Sequence, residues 1–258
     1  MGAGILAAVP AHPAAHGFVA GRSALTHARL HAGRDVVVRL DLRQYFATVT
    51  AGRVYGVLRT IGYAEPVAHQ LAGLLTTTTP AAVRDAAAPP SDPGLAAAHR
   101  WLCAKLATAH LPQGAPTSPA LANLCAYRLD ATYSRYADDL TFSGDRRMPA
   151  EKLVRTVEKI CTDEGFHVNS RKTVIARAGV RQLVGGLVVN DRPNATRAER
   201  DRLRAILHDA STNGLDAANR HGHPDFANHL LGRISWVAAA NPDHGARLRA
   251  AFDALIGA

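Results

Sequence analysis

Two adjacent acids, Asp138 and Asp139, lie between runs that alternate like strands. Thr132-Tyr133-Ser134-Arg135-Tyr136 precedes them and Leu140-Thr141-Phe142-Ser143 follows. Alternation on both sides of a short break predicts a β-hairpin with carboxylates at its tip. Carboxylates packed this closely repel each other unless a cation neutralises them, which points to a divalent metal site. A third acid, Asp41, ends the β-branched run Asp35-Val36-Val37-Val38-Arg39-Leu40-Asp41-Leu42, a predicted buried strand. Phosphoryl transfer by two metals needs acids from separate elements converging on ions about 3.5–4 Å apart. One ion would activate an attacking hydroxyl, and the other would hold a triphosphate and steady the leaving pyrophosphate. The carbonyl of Leu42 adds a hard oxygen beside the first acid. Taken singly, Asp41 reads equally well as a strand-end acid capping a neighbouring helix.

Leu111-Pro112-Gln113-Gly114-Ala115-Pro116-Thr117-Ser118-Pro119 is the second dense stretch. Its turns and the helix start that follows can set Gln113 and backbone N–H groups beside a ligand. Composition alone would make it an ordinary Pro/Gly loop.

The elements that must position these residues are mixed. A helix is predicted over residues 51–75, a loop over Thr76 to Gly94, and a helix from Leu95 to Ala109. Ser118 as N-cap and Pro119 at the first helical position open a helix running to about Asp130. Pro149 and Gly165 bound another, with Leu153, Val157 and Ile160 on one face. Val180 to Val189 is strand-like, with Gly185-Gly186 marking a bulge or close backbone approach. Thr196 to Glu199 forms a capping box ahead of Leu203, Ile206 and Leu207. Two further helices fill Pro224 to Ala240 and Pro242 to Leu255. The pattern predicts an α+β catalytic lobe over residues 1–191 and a helical appendage over 192–258.

Composition narrows the partners. Net charge is +9 over 258 residues, with a pI near 10.0, which favours a polyanion. Lys105, Lys152, Lys159 and Lys172 are the lysines; the other cations are arginines, whose fork matches phosphate. A GC-rich genome would explain the arginine bias equally well, but not the charge imbalance. Cys103, Cys125 and Cys161 lie far apart without CxxC spacing, against zinc or a disulfide framework and for a reducing cytoplasmic setting. The N-terminus lacks a basic n-region, Leu6 breaks the myristoylation pattern, and no run is long enough for a membrane span. His27 and His31 form an i,i+4 pair that could mimic a metal site, although packing or RNA contact explains them with less.

These motifs together resemble a bacterial reverse transcriptase. The resemblance is carried by Asp41-Leu42-Arg43-Gln44-Tyr45-Phe46, by Leu111 to Pro119, and by Tyr136-Ala137-Asp138-Asp139. Gly165-Phe166-His167-Val168-Asn169-Ser170-Arg171-Lys172-Thr173 and Arg181 to Asn190 follow in the family's order, so the similarity covers about residues 12–207. His16 to Ser23 and His27-Ala28-Arg29-Leu30-His31 resemble the N-terminal motifs of retron reverse transcriptases. His27 stands where those carry Asn, and Val184-Gly185-Gly186 where they carry Val-Thr-Gly. The family usually has a basic finger stretch before residue 12 and several more residues between Asp130 and Tyr133.

The resemblance implies a right-hand polymerase palm with partial fingers and a helical thumb. It implies Asp41, Leu42, Asp138 and Asp139 around two Mg²⁺ ions, with Mn²⁺ as a substitute, and Lys172 near the phosphates as proton donor. Phe46 would be the gate against a ribose 2′-hydroxyl, with Gln113 and Gly114 at the incoming dNTP. Gly185 and Gly186 would form the primer grip, and Arg22, Arg197, Arg200 and Arg204 would contact nucleic acid. For Arg197, Arg200 and Arg204 a solvated surface serves as well. The implied partners are a structured noncoding RNA template, its DNA product, dNTPs and an effector protein in phage defence. A noncatalytic RNA-binding remnant with shortened fingers is the alternative. A maturase-like intron protein is the third reading, and the absence of a long basic or zinc-bearing C-terminal extension argues against it.

Overall fold

The structure, a computed structural model, describes Leu6 and residues 9–86, 88–132 and 134–256. Expectations for Met1–Ile5 and Tyr133 lie outside the described residues. In chain order the elements are α1 (Ala24–Leu30), β1 (Val36–Asp41), α2 (Tyr45–Thr48), α3 (Ala51–Thr60), α4 (Glu65–Leu75), α5 (Ala81–Arg84) and α6 (Pro93–Leu106). Then come α7 (Ser118–Cys125), β2 (Ser134–Tyr136), β3 (Asp139–Gly144), α8 (Ala150–Asp163), β4 (Val174–Arg177), β5 (Leu183–Val184) and β6 (Leu187–Val188). The chain ends in α9 (Arg197–Asn213), α10 (Leu215–Ala218), α11 (Phe226–Ala240) and α12 (Pro242–Ile256). The α+β class holds. The chain divides into two compact units: residues 1–23, 38–142 and 149–175, and residues 24–37, 143–148 and 176–258.

The four-stranded sheet runs β2-β3-β1-β4, and β1 lies inside it. A central strand covered on both faces reads as a continuous apolar run, as Val36-Val37-Val38 does. β2 and β3 pair antiparallel, Ser134 with Thr141, Arg135 with Leu140 and Tyr136 with Asp139. The single helix expected over 51–75 is instead α3 and α4. Gly62, at φ 102, turns the chain between them and Pro66 restarts the helix in its first turn. The loop expected from Thr76 to Gly94 contains α5, and α6 begins two residues earlier than expected, at Pro93.

Thr117, not Ser118, is the N-cap of α7; the Ser118 hydroxyl donates to the Pro112 carbonyl at 2.6 Å. The helix stops at Cys125, and a 3-10 turn over Leu129–Thr132 replaces its expected end. The face of α8 that is fully buried is Ala150, Val157 and Cys161, with Leu153 and Ile160 half-covered. Burial pushes the Cys125 and Cys161 thiols up to about 12, so both stay protonated.

The second unit is built largely from α9, α11 and α12, which close on Leu203, Leu207, Leu230, Ile234, Leu248 and Phe252. The expected cap is present: Thr196 Oγ1 accepts from Glu199 N at 3.2 Å. The Glu199 carboxylate turns instead to Arg233 Nε at 2.8 Å. The stretch read as one strand over 180–189 is a hairpin of β5 and β6, turned by Gly185 and Gly186 at φ 55 and 81. Two positive φ values at a two-residue loop suit glycine pairs. His27 and His31 are buried, their rings meeting edge to face at 5.1 Å, and His31 Nδ1 lies 2.8 Å from Ser143 Oγ. Packing therefore accounts for that pair. No helix among the described residues is long and apolar enough to cross a membrane.

Helices α11 and α12 approach most closely at Gly245, where an added Cβ would lie 2.2 Å from the Ala238 Cβ. Gly245→Ala is expected to destabilise the protein by about 1–3 kcal/mol through overpacking. Thermal denaturation would read this as a melting point lower by several degrees.

Candidate active site

Asp41 ends β1, and the backbone around it is tied down on two sides. Leu42 N donates to the Asp138 carbonyl at 2.8 Å, Asn169 N donates to the Asp41 carbonyl at 2.7 Å, and Arg43 N donates to His167 O at 2.7 Å. The strand end is thereby fixed against both the hairpin loop and the 167–169 segment. Within that loop Asp138 follows Ala137, which sits at φ 57. A left-handed conformation costs an alanine about 1–2 kcal/mol, so surrounding structure must hold it.

Asp41, Leu42, Phe46, Gln113, Asp138 and Lys172 line one open cleft of about 1120 Å³. Among the described residues the non-glycine positions with positive φ are Phe18 (62), Gln44 (50) and Ala137 (57), and each of them lines this cleft. Backbone strain persists only where surrounding structure over-determines it, and it gathers at functional sites.

The charges are paired unevenly. Lys172 Nζ lies 3.0 Å from Asp41 Oδ2, and Asn169 Nδ2 lies 3.4 Å from Asp41 Oδ1. That hydrogen bond and the Asp41 charge push the Lys172 ammonium above its ordinary value, so it holds its proton. Arg39 Nη2 reaches both oxygens of Asp139 at 3.2 and 3.1 Å, drawing that acid toward β1. Asp138 is pushed up from the usual carboxylate range, first by burial and then by the neighbouring Asp41 and Asp139 charges.

Hard oxygens from two elements, around an acid whose ionisation is opposed by its surroundings, suit a divalent cation. Asp41, Asp138 and the Leu42 carbonyl are the groups that would hold it. Among the described residues no three His, Cys, Asp or Glu side chains are assembled as a metal cage.

Several predicted residues are placed elsewhere. Gly114 turns the exposed loop at φ 90 beside Gln113. Arg22 Nη1 donates to the carbonyls of His12, Pro13 and Ala15 at 3.2, 2.7 and 2.6 Å, stapling the N-terminal segment. Gly185, Gly186, Arg197, Arg200 and Arg204 belong to the second unit. There Asp201 pairs with both Arg197 and Arg204, and Arg200 Nη1 lies 3.0 Å from His244 Nδ1. An added Cβ at Gly185 would stand 3.0 Å from the Ala24 Cβ.

Arg43, Trp101 and Arg171 also line the cleft, although the sequence does not single them out. Arg43 stacks over the Trp101 ring at 4.3 Å, and that ring meets His167 edge-on at 5.4 Å. Arg43 follows Asp41 by two residues and Arg171 adjoins Lys172, so proximity to the motifs could have flagged both. Trp101 sits in an apolar helical run that gives no such signal.

Residues 5–189 match the family described as reverse transcriptase (RNA-dependent DNA polymerase). The chain is 39% identical to the retron Mx65 reverse transcriptase of Myxococcus xanthus, over 95% of this chain and 55% of that protein. It is 42% identical to the retron Mx162 reverse transcriptase of the same organism, over 90% of this chain and 49% of that protein. It thus spans about half the length of these relatives. Among solved structures, a telomerase from Candida albicans in complex with a fragment of telomeric RNA aligns over 94% of this chain and 52% of its own. Its TM-score is 0.45 at 11% identity.

Because burial raises Asp138, its charge opposes folding. That cost is absent below the ordinary carboxylate value and complete once pH rises through the raised one. Asp138→Asn should therefore raise the melting temperature of metal-free protein at neutral pH, with the gain vanishing in acid. Asp139→Asn should lower it slightly, since the partly exposed Arg39 pair contributes less than about 1 kcal/mol. Calorimetry of the two variants across pH checks both signs.

Proposed function

The chain belongs to the reverse transcriptase family, and on that premise we propose that it is a retron-type RNA-directed DNA polymerase. It would use dNTPs and two Mg²⁺ ions, with Mn²⁺ as a substitute. The observation carrying this reading is the meeting of Asp41, Asp138, Phe46, Gln113 and Lys172 on one cleft with the strained positions Phe18, Gln44 and Ala137. In this reading residues 1–191 are partial fingers and palm, and 192–258 are the thumb.

Bound divalent cations would lower the pKa of the primer hydroxyl and neutralise charge on the triphosphate. Asp41, Asp138 and the Leu42 carbonyl would hold them, with Asp139 as a further carboxylate beside Asp138. The Lys172 ammonium stays protonated beside Asp41, ready to give its proton to the departing pyrophosphate. Arg43 and Arg171 bring guanidinium groups to the same cleft, where they meet phosphate oxygens. The Phe46 ring stands against a 2′-hydroxyl and selects deoxynucleotides, while Gln113 and Gly114 bound the nucleotide pocket.

Gly185-Gly186 approaches the primer backbone, and Arg22, Arg197, Arg200 and Arg204 face nucleic acid phosphates. Asp201 holds its two arginines only at the surface, where a phosphate competes readily. The template is a structured noncoding RNA, primed from an RNA 2′-hydroxyl, with a DNA product and an effector protein in cytoplasmic anti-phage defence. The similarity to retron enzymes supports these partners.

A second reading, a noncatalytic RNA-binding palm and thumb, draws on the ion pairs that already occupy Asp41 and Asp139. Asp138→Asn with Asp139→Asn should lower Mg²⁺-dependent dNTP incorporation on primed RNA by about 10³-fold or more. RNA binding indifferent to Mg²⁺ and dNTPs, with no incorporation by the unaltered protein, would instead establish the noncatalytic reading. Phe46→Ala should raise incorporation of ribonucleotides relative to deoxynucleotides, measured by competing the two on one template.

A further inference from the structure

We propose that buried Arg135 is a positioning residue, the clamp that holds the left-handed turn presenting the Asp138 carboxylate. Its side chain is fully buried and pairs with Asp130, also fully buried, through two bonds of 2.7 Å. One guanidinium nitrogen remains for other work. Arg135 Nη1 donates to the Ala137 carbonyl at 2.6 Å and to the Tyr45 hydroxyl at 3.0 Å. The Tyr45 hydroxyl, kept neutral by burial, donates in turn to Ala122 O at 2.7 Å. The Ala137 carbonyl belongs to the peptide that leads into Asp138, so a bond there fixes the plane from which the carboxylate projects.

The turn is braced from a second side. The N-terminal segment runs parallel beside Arg135, with Arg135 N donating to Ala14 O at 2.8 Å and His16 N donating to Arg135 O at 2.7 Å. Gly17 then presses on the turn so closely that a Cβ would stand 2.4 Å from Ala137 N, and Asn123 Nδ2 holds the Gly17 carbonyl at 3.0 Å. A tight, non-glycine turn between such supports has one way to point its next side chain. Removing the guanidinium would free the Ala137 peptide while leaving the acids themselves intact. Partners that orient a ligating group typically change metal affinity by about 10–100-fold.

The proposal rests on the polymerase reading only in taking Asp138 as a cation ligand. The probe is Mn²⁺, its free fraction read by electron paramagnetic resonance on the full chain without nucleic acid. Arg135→Lys keeps a charge for Asp130 but cannot also span to the Ala137 carbonyl. It should weaken Mn²⁺ binding about tenfold and raise the Mg²⁺ concentration giving half-maximal incorporation by a similar factor. Ala137→Gly, which adopts the left-handed turn freely, should restore most of that affinity in the Arg135→Lys background without restoring its melting temperature. A merely structural arginine predicts the opposite: a lower melting temperature, unchanged Mn²⁺ affinity in the folded fraction, and no rescue by glycine.

Should Arg135→Lys fail to fold, Tyr45→Phe removes only the hydroxyl that locates Nη1. It should weaken Mn²⁺ about threefold on the same logic, again rescued by Ala137→Gly. Unaltered Mn²⁺ affinity in a folded variant, or loss without rescue, overturns the clamp. So does an unaltered protein that binds no Mn²⁺. Mn²⁺ binding that follows the clamp, with no incorporation on primed RNA, would sink the polymerase reading and leave the clamp standing.

Discussion

Mutual repulsion among carboxylates is the constraint around which the first unit is arranged. Asp41 and Asp139 lie close enough to Asp138 that their charges oppose its ionisation. Without added cations the fold answers with its own: Lys172 for Asp41 and Arg39 for Asp139. Asp138 receives no comparable ion pair among the described residues, and burial, together with the Asp41 and Asp139 charges, pushes its carboxyl up. A site that must accept divalent cations cannot neutralise itself fully, or the incoming charge would find nothing to bind. Two partly exposed ion pairs and one uncompensated acid meet both demands, since surface pairs of this kind are weak enough to exchange.

Holding that arrangement requires strain, and the strain is localised. Phe18, Gln44 and Ala137 come from three separate segments, yet all face the same cleft. Each stands next to an element the site uses: the N-terminal segment, the start of α2 before Phe46, and the hairpin loop before Asp138. The buried Asp130–Arg135–Tyr45 network lies under two of them, because Tyr45 immediately precedes Phe46 and Arg135 bonds the Ala137 carbonyl. Nucleotide pocket and acid-bearing turn therefore share one foundation.

How much of this was legible in the sequence follows from the range of the interactions involved. Local signals worked where local physics decides: the apolar run of β1, the Thr196 cap, the hairpin closing on Tyr136 and Asp139. They failed where a single residue redirected the chain. Gly62 broke a periodic stretch that read as one helix, and Gly185-Gly186 turned a strand into a hairpin. At Ser118 the hydroxyl found the Pro112 carbonyl, a competitor that no cap pattern reveals. The cleft residues were found where they lie inside or beside motifs, as with Asp41, Phe46 and Lys172. Trp101 was not, because its role comes from packing against Arg43 and His167, far from it in the chain.

Arg135 and Asp130 mark the limit of sequence reading most clearly. An arginine in an alternating run reads as a solvent-facing strand residue, and an acid at a helix end reads as surface. Burial reverses both, since a buried charge persists only when paired and hydrogen-bonded. Replacing such a pair with apolar residues of similar volume is often neutral or stabilising, so stability alone is a poor reason to keep it. An apolar side chain at 135 could fill the space, but it could not donate to the Ala137 carbonyl and to Tyr45 at once. The need for a planar, always-charged group with several donors at this position comes from the turn above it, which must stay left-handed with an alanine in place.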